Sequence, residues 1–417
     1  MKEIGKYSWG VGDRFARQAE AQLKAIISAE NAGINIIPVW NKSNREHTFI
    51  RSEPASVRAA ADAAVKALGW KYPYFCDADH INMSNADRFT DACDFFTIDV
   101  ADYIGEVAPV GEIDAFVKAN RKYIGNLTVP GIAKPFVITE DDVRKIAGKF
   151  LFAVKQAAAI YQHIAKVKGE DDFVSEISMD EVNDAQSPVE LFFILNAIAQ
   201  YKIPAQTIAP KFTGRFNKGV DYAGDIKQFA HEFEEDLSVI DYAIKEFDLP
   251  RNLKLSIHSG SDKFSIYPVM GELIKKYDKG IHVKTAGTTW LEEVIGLAEA
   301  GGEGLEIAKK IYASAYERRD EVIVPYATVI DINFANLPTP EEVNNRSGKK
   351  FAESLRHIQS NPNYNPDFRQ LIHVAFKIAA DLGNVYTDAL EKYADIIGKQ
   401  VTENLWERHI KLLFGIK

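Results

Sequence analysis

Cysteine is nearly absent. Cys76 and Cys93 are the only two in 417 residues, and their spacing fits neither a zinc clamp nor a redox pair, so a disulfide scaffold is excluded and two reduced, buried thiols are expected. Long apolar runs are missing too: the most apolar stretch, Val189 to Ala199, contains Glu190 and Asn196 and is too short to span a bilayer. The N-terminus lacks the apolar core and small-residue cleavage site of a secretory signal. Positive charge is not in excess, since 50 Lys plus Arg against 59 Asp plus Glu leave a net charge of -9, which argues against a broad nucleic-acid-binding face. No Gly-x-Ser-x-Gly elbow marks a serine nucleophile. The run Gly10-Val11-Gly12-Asp13-Arg14-Phe15 lacks the third small residue of a dinucleotide fingerprint. These absences leave a cytoplasmic chain with neither nucleic acid nor membrane as partner, and with a homo-oligomer allowed.

What is present is a repeat of short β-rich runs and longer amphipathic segments, the pattern of β-α units. Strands are expected at Tyr7 to Gly12, Asn35 to Trp40, Tyr74 to Asp79, Phe95 to Val100, Val174 to Met179, Thr207 to Phe212, Lys254 to His258 and Ile281 to Thr285. Eight such strands are the number a closed TIM-type (β/α)8 barrel needs. Residues 1–290 are assigned to the barrel, with an irregular insertion near 105–140 between the fourth and fifth units, a kind of rim loop that often serves as a lid, and 291–417 to a C-terminal helical extension packed on it. In such a barrel the strand C-termini meet at one rim, so Asp13, Asp77, Asp79, His80, Asp99, Asp180, Lys211, His258 and Lys284 should converge there.

Four clusters carry chemistry. Asp77 and Asp79 share one strand face with His80 just beyond; the plain alternative is a helix cap and a backbone hydrogen bond. Glu176 lies inside an otherwise apolar strand, where an unpaired carboxylate is costly, so it needs a metal, a cation or a protonated neighbour. His258 and His282 occupy neighbouring strands, and with His80 and Glu176 they form the imidazole-carboxylate set that divalent metals take. The turns Ser259-Gly260-Ser261 and Thr285-Ala286-Gly287-Thr288-Thr289 could hold an anion or simply cap helices. His163, His231, His357 and His409 read as surface or helix-packing residues, whereas Arg369 and His373 could reach the rim from the extension.

Gly10-Val11-Gly12-Asp13-Arg14, Asp77-Ala78-Asp79-His80, Phe96-Thr97-Ile98-Asp99, Asp180-Glu181 with Ser187-Pro188, Lys218-Gly219-Val220-Asp221-Tyr222, His258-Ser259-Gly260-Ser261-Asp262-Lys263-Phe264-Ser265, His282-Val283-Lys284-Thr285-Ala286-Gly287-Thr288 and Arg369-Gln370-Leu371-Ile372-His373-Val374 resemble, in this order, the tagaturonate epimerase family. The chain begins close to the first of these motifs, without the longer leader associated with some members. The resemblance implies a metal-dependent isomerase of hexuronate catabolism that interconverts tagaturonate and fructuronate. These keto-uronates differ at the carbinol carbon β to the ketone, whose C–H bond the ketone does not acidify, so retro-aldol cleavage and re-addition suits better than proton abstraction. On this reading His80, Glu176, His258 and His282 hold a divalent cation of the Zn, Mn or Ni type. Asp180 or Asp99 shuttles the proton, and Lys284 and Lys263 offset oxyanion or carboxylate charge. Asp13, Arg14, Asp79, Ser259, Ser261, Lys263 and Arg369 contact the sugar acid. The alternative is a metal-dependent aldose-ketose isomerase, or an epimerase of another sugar or sugar acid.

Overall fold

The computed structural model describes residues 2–285 and 287–417. Ala286, within the expected Thr-Ala-Gly turn, lies outside the described residues. Strands β1 (Tyr7–Gly12), β2 (Ile36–Ser43), β3 (Phe75–Ile81), β4 (Phe95–Asp99), β7 (Val174–Ser178), β8 (Thr207–Ala209), β9 (Lys254–His258) and β10 (Ile281–Lys284) close into a parallel barrel in the order β1-β10-β9-β8-β7-β4-β3-β2. The remaining pair, β5 (Gly125–Leu127) and β6 (Phe136–Ile138), forms a separate antiparallel hairpin.

Period-two alternation explains what fills the barrel. Val39, Phe75, Phe95 and Val174 make an apolar plug at the N-terminal end. Two residues further along the same strands the interior becomes polar, with Asn41, Asp77, Thr97 and Glu176 all buried, and Thr207 of β8 joins them opposite Glu176. A further step reaches Asp79, Asp99 and Ser178, so polarity rises toward the C-terminal rim. Gly10 faces Lys284 in the β1–β10 register, and a Cβ there would stand 2.8 Å from Lys284 Cγ. The glycine makes room for a lysine crossing the barrel.

The outer helices start where their sequence says they should. Ser187 and Glu190 form a capping box with Pro188 at the first turn of Pro188–Gln200, and Asp225 caps Ile226–Phe247. The chain has two large apolar cores, one between barrel and outer helices and one in the extension around Trp290, Ile311, Phe351, Phe368 and Phe376. Helix Thr288–Ala300 belongs to the second core, while Leu405, Ile410 and Leu413 return to the first. The extension is thus stitched to the barrel at both its ends.

The 105–140 insertion does not act as a lid. Its Tyr123 packs on Phe192, Phe193 and Phe247, its Lys122 pairs with Glu246 at 2.7 Å, and no residue of the segment lines the rim cavity. Its apolar residues cover the outside of the barrel instead. No helix among the described residues is long and apolar enough to cross a membrane.

Candidate active site

A cavity of about 360 Å³ opens at the C-terminal rim. Its lining includes the acids and imidazoles Asp79, His80, Asp180, Glu181 and His258 together with the cations Arg14, Arg45, Lys211, Arg215, Lys218 and Lys284. The segment Val324–Val329 of the extension closes one side through Pro325, Tyr326 and Thr328.

Lys284 sets the charge of the barrel centre. Its ammonium lies 2.7 Å from Asp77, 2.6 Å from Asp79 and 3.3 Å from Glu176, and donates to Thr97 Oγ1 at 2.7 Å. Burial disfavours its charge, but the three carboxylates outweigh burial and hold its pKa well above the ordinary lysine value. Three acids around one cation cannot all be charged cheaply. Burial, only partly offset by Lys284, pushes Asp77 up to about 7. For Asp79, Lys284 and His80 overcome burial and bring it down to about 2. Lys284 lines the cavity, with its charge shared among these three carboxylates.

Backbone strain delivers His80. It sits at a bulge between β3 and β4, with a left-handed φ of 50°, and its Nδ1 lies 2.9 Å from Asp99 Oδ2. Burial opposes an imidazolium there, yet Asp79, Asp99 and Glu181 hold the pKa well above the usual histidine value. His258 ends β9 with Nε2 2.8 Å from Glu176 and Nδ1 3.1 Å from Asp180. The same contest, with Asp180 and Glu176 against burial, raises it to about 9. Asp180, which accepts from Ser178 Oγ at 2.7 Å, is correspondingly depressed: burial would raise it, but His258 and His80 prevail. The two imidazoles meet edge to face at 5.1 Å.

The ligand atoms of His80, Asp180 and His258 all lie within 4.8 Å of one another, as do those of His80, Asp99 and Glu181. These groups share His80 and His258 with the expected ligand set and leave out Glu176 and His282. Glu176 lies below the cavity floor, saturated by His258, Lys284, Thr97 and by Thr207 Oγ1, which donates at 2.7 Å. His282 lies one interior layer beneath Lys284. Its Nδ1 is 2.8 Å from Ser8 Oγ, its ring rests on Phe95, and burial lowers its pKa to about 3. It neither lines the cavity nor joins either cluster.

Several expected substrate contacts are structural. Lys263 is fully buried and donates to the carbonyls of Asn217 and Val220 and to Ser261 Oγ, pinning the loop after β8. Ser261 also accepts from the Gly219 amide, and Ser259 Oγ donates to the Lys284 carbonyl. Arg369 donates to Gly219, Leu355 and Asp262, and Asp262 also faces His357 and His409 at 3.2 and 3.0 Å. That buried hub fastens the extension to β9, so His357 and His409 are packing residues as expected. His163 and His231 stay at the surface beside Asp87 and Glu235. Asp13 Oδ2 accepts the Gln18 amide at 2.6 Å at the start of the first outer helix, away from the cavity. His373 is buried behind Gly287, where a Cβ would collide with it. Of the expected contacts, Arg14 and Asp79 line the cavity.

Sequence reasoning missed Asn41, Glu46, Arg45 and Tyr326. The polar run Asn41-Lys42-Ser43 directly after Trp40 was the available signal, since polar residues closing a barrel strand point to the rim. Nothing local in the sequence marks Tyr326.

A parallel (β/α)8 barrel with its polar cavity at the strand C-termini, lined by acids, imidazoles and cations, is the frame of an enzyme acting on a small polar molecule. The sequence model of the tagaturonate epimerase family matches residues 2–413, and the chain belongs to this family of carbohydrate isomerases. A tagaturonate/fructuronate epimerase of Thermotoga maritima is 26% identical over 431 residues, covering 98% of this chain and 81% of the relative. Among solved structures, a glycerol complex of the fructuronate-tagaturonate epimerase UxaE from Cohnella laeviribosi superposes with a TM-score of 0.81 at 22% identity, covering 99% of this chain and 82% of that one. Its native form gives 0.78 at 22% identity with the same coverage. At that identity the superpositions speak for the fold.

Proposed function

We propose that the chain is a metal-dependent epimerase interconverting D-tagaturonate and D-fructuronate at the carbinol carbon β to the ketone, by retro-aldol cleavage and re-addition. The observation that carries this reading is a cavity lined by two kinds of group: His80, Asp180 and His258 gathered within 4.8 Å of one another, and the cations Arg14, Lys211 and Lys218. A sugar acid has a hydroxylated end for the first and a carboxylate for the second.

Two imidazoles and a carboxylate are a fitting donor set for a divalent cation of the Zn, Mn or Ni type, with His80, Asp180 and His258 as its holders. Such an ion, when bound, supplies Lewis-acid stabilisation of negative charge developing beside it. Asp99 then orients His80 through its 2.9 Å contact. With Asp180 and Asp99 so engaged, Glu181 is the proton carrier: it lines the cavity and has no hydrogen-bond or ion-pair partner among the described residues. It takes the proton of the β-hydroxyl as the bond between the α and β carbons breaks, giving an enediolate and an aldehyde, and returns it after the aldehyde turns and the bond re-forms. The aldehyde fragment carries the carboxylate, which the cationic side chains of the lining retain while the aldehyde carbonyl turns to present its other face. The small-molecule partner is a sugar acid, and the setting a cytoplasmic catabolic route.

Elemental analysis of the purified chain combined with NMR detection of product from fructuronate tests this. Exhaustive chelation should abolish turnover and a divalent ion restore it; full activity in metal-free protein refutes the metal. Glu181→Gln should keep the metal and lose turnover by about 100-fold or more, and normal turnover there refutes the proton assignment.

A further inference from the structure

Six lysine and arginine side chains line the cavity, yet they are not equivalent; Lys284 is committed to Asp77, Asp79 and Glu176. Arg45 donates to the Pro325 carbonyl at 3.1 Å and lies over the Tyr326 ring, and Arg215 faces Asp331 at 3.3 Å, so both are engaged in holding the extension. Lys211 and Lys218 are half-buried on flexible stems. Arg14 alone is both buried and incomplete. Its Nη2 pairs with Glu46 at 3.2 Å, its guanidinium carbon lies 4.4 Å over the Phe376 ring, and its side chain is only 6% exposed. Its Nε and Nη1 are shut off from water with no hydrogen-bond partner among the described residues.

A guanidinium stays charged under any ordinary condition, so it cannot escape burial by losing a proton, and each unmet donor is costly. Beside it Asn41, 1% exposed, also has both amide atoms unpartnered. Both residues line the cavity. A carboxylate would satisfy the arginine donors and the asparagine N–H together; a neutral hydroxymethyl group would bring no charge to the guanidinium. Glu46 is itself fixed, because its other oxygen accepts from the Ser43 amide at 3.1 Å in the capping box of helix Asn44–Ile50. Phe376 comes from the extension and is fully buried.

We propose that Arg14, with Asn41, is the carboxylate receptor that makes this cavity select sugar acids over neutral ketoses, and that Glu46 and Phe376 are the positioning residues that hold it. This rests on the keto-uronate reading above and supplies its specificity determinant. It also gives the extension a share in substrate choice.

Calorimetric titration of the full-length, metal-loaded chain with D-fructuronate and with fructose tests it. Wild type should bind the acid at least about tenfold more tightly. Arg14→Met should weaken the acid by about 100-fold while leaving fructose affinity and metal content unchanged. Phe376→Leu should raise KM for the acid several-fold with kcat within about twofold, again without effect on fructose. The inference is overturned if wild type does not bind the acid, if Arg14→Met keeps acid affinity, or if it weakens both ligands alike. A chain that binds the acid through Arg14 but does not epimerise it would sink the proposed reaction and leave the receptor standing.

Discussion

Replacing Lys284 by Met removes the one cation shared by three buried carboxylates, and the structure bounds the result. At separations of 2.6, 2.7 and 3.3 Å each fully charged pair is worth on the order of 5 kcal/mol even with an effective dielectric of ~20. Protonation limits the loss, because keeping an ordinary carboxyl neutral at neutral pH costs about 4 kcal/mol. Asp77, already pushed up to about 7, costs far less. Asp79 and Glu176 remain, and His258 still faces Glu176, so the expected destabilisation is about 3–5 kcal/mol. Urea unfolding followed by the fluorescence of the five tryptophans measures it. The pH dependence gives a second signature. Without Lys284 the folded-state pKa values of these acids rise above their unfolded values, so the stability they contribute is present at low pH and is lost as pH rises. The gap between variant and wild type should therefore shrink on going from neutral to mildly acidic pH, and Glu176→Gln in the Lys284→Met background should recover part of it. A loss below about 1 kcal/mol, or one indifferent to pH, would show that the carboxylates are not held by this lysine.

Two further predictions follow from the same interior. His282→Gln should leave metal stoichiometry intact, while His258→Gln should remove the metal; elemental analysis of the two purified variants decides, and metal loss in His282→Gln would return that residue to the ligand set. Lys254, whose ammonium donates to the Gly5 and Ile4 carbonyls at the closed end of the barrel, has its pKa lowered by burial to about 7. A lysine depressed in the folded state binds fewer protons than in the unfolded one between those two values, so stability rises with pH across that window. The wild type should gain on Lys254→Met, by on the order of a few kcal/mol, between pH of about 7 and 10, and parallel unfolding curves for the two would refute the buried charge.

The fold was legible because barrel strands and helix starts are local signals. All eight barrel strands fall where periodicity puts them, and β1 and β9 coincide with the expected segments to the residue. Pro188–Gln200 does as well, since a Ser-Pro-x-Glu box states its own start. The insertion was misjudged as a lid because a Gly- and Pro-rich stretch announces irregular backbone but not which surface its apolar side chains cover. Only packing against Phe192 and Phe247 settles that.

The site was half legible for a related reason. Which strands end in acids and imidazoles is written along the chain, so Asp79, His80, Asp180, His258 and Lys284 could be expected at one rim. Depth is not written there. His258 and His282 each lie on a barrel strand, yet in the β9–β10 register His258 pairs with Lys284 and His282 with Ser256. One strand thus presents its histidine at the rim and the other one layer down, where it meets Ser8 and Phe95 instead of the cavity. Motif strings mislead in the same way: Ser259, Ser261, Lys263 and Arg369 are constrained by the turn after β9 and by the Asp262 hub, demands as specific as binding a ligand. Lys263 and Arg369 are satisfied by the protein, whereas Arg14 and Asn41 combine a place in the cavity lining with polar atoms unmet among the described residues. Unmet atoms alone do not mark a site, since His282 and His373 have them away from the cavity, and the combination exists only in three dimensions.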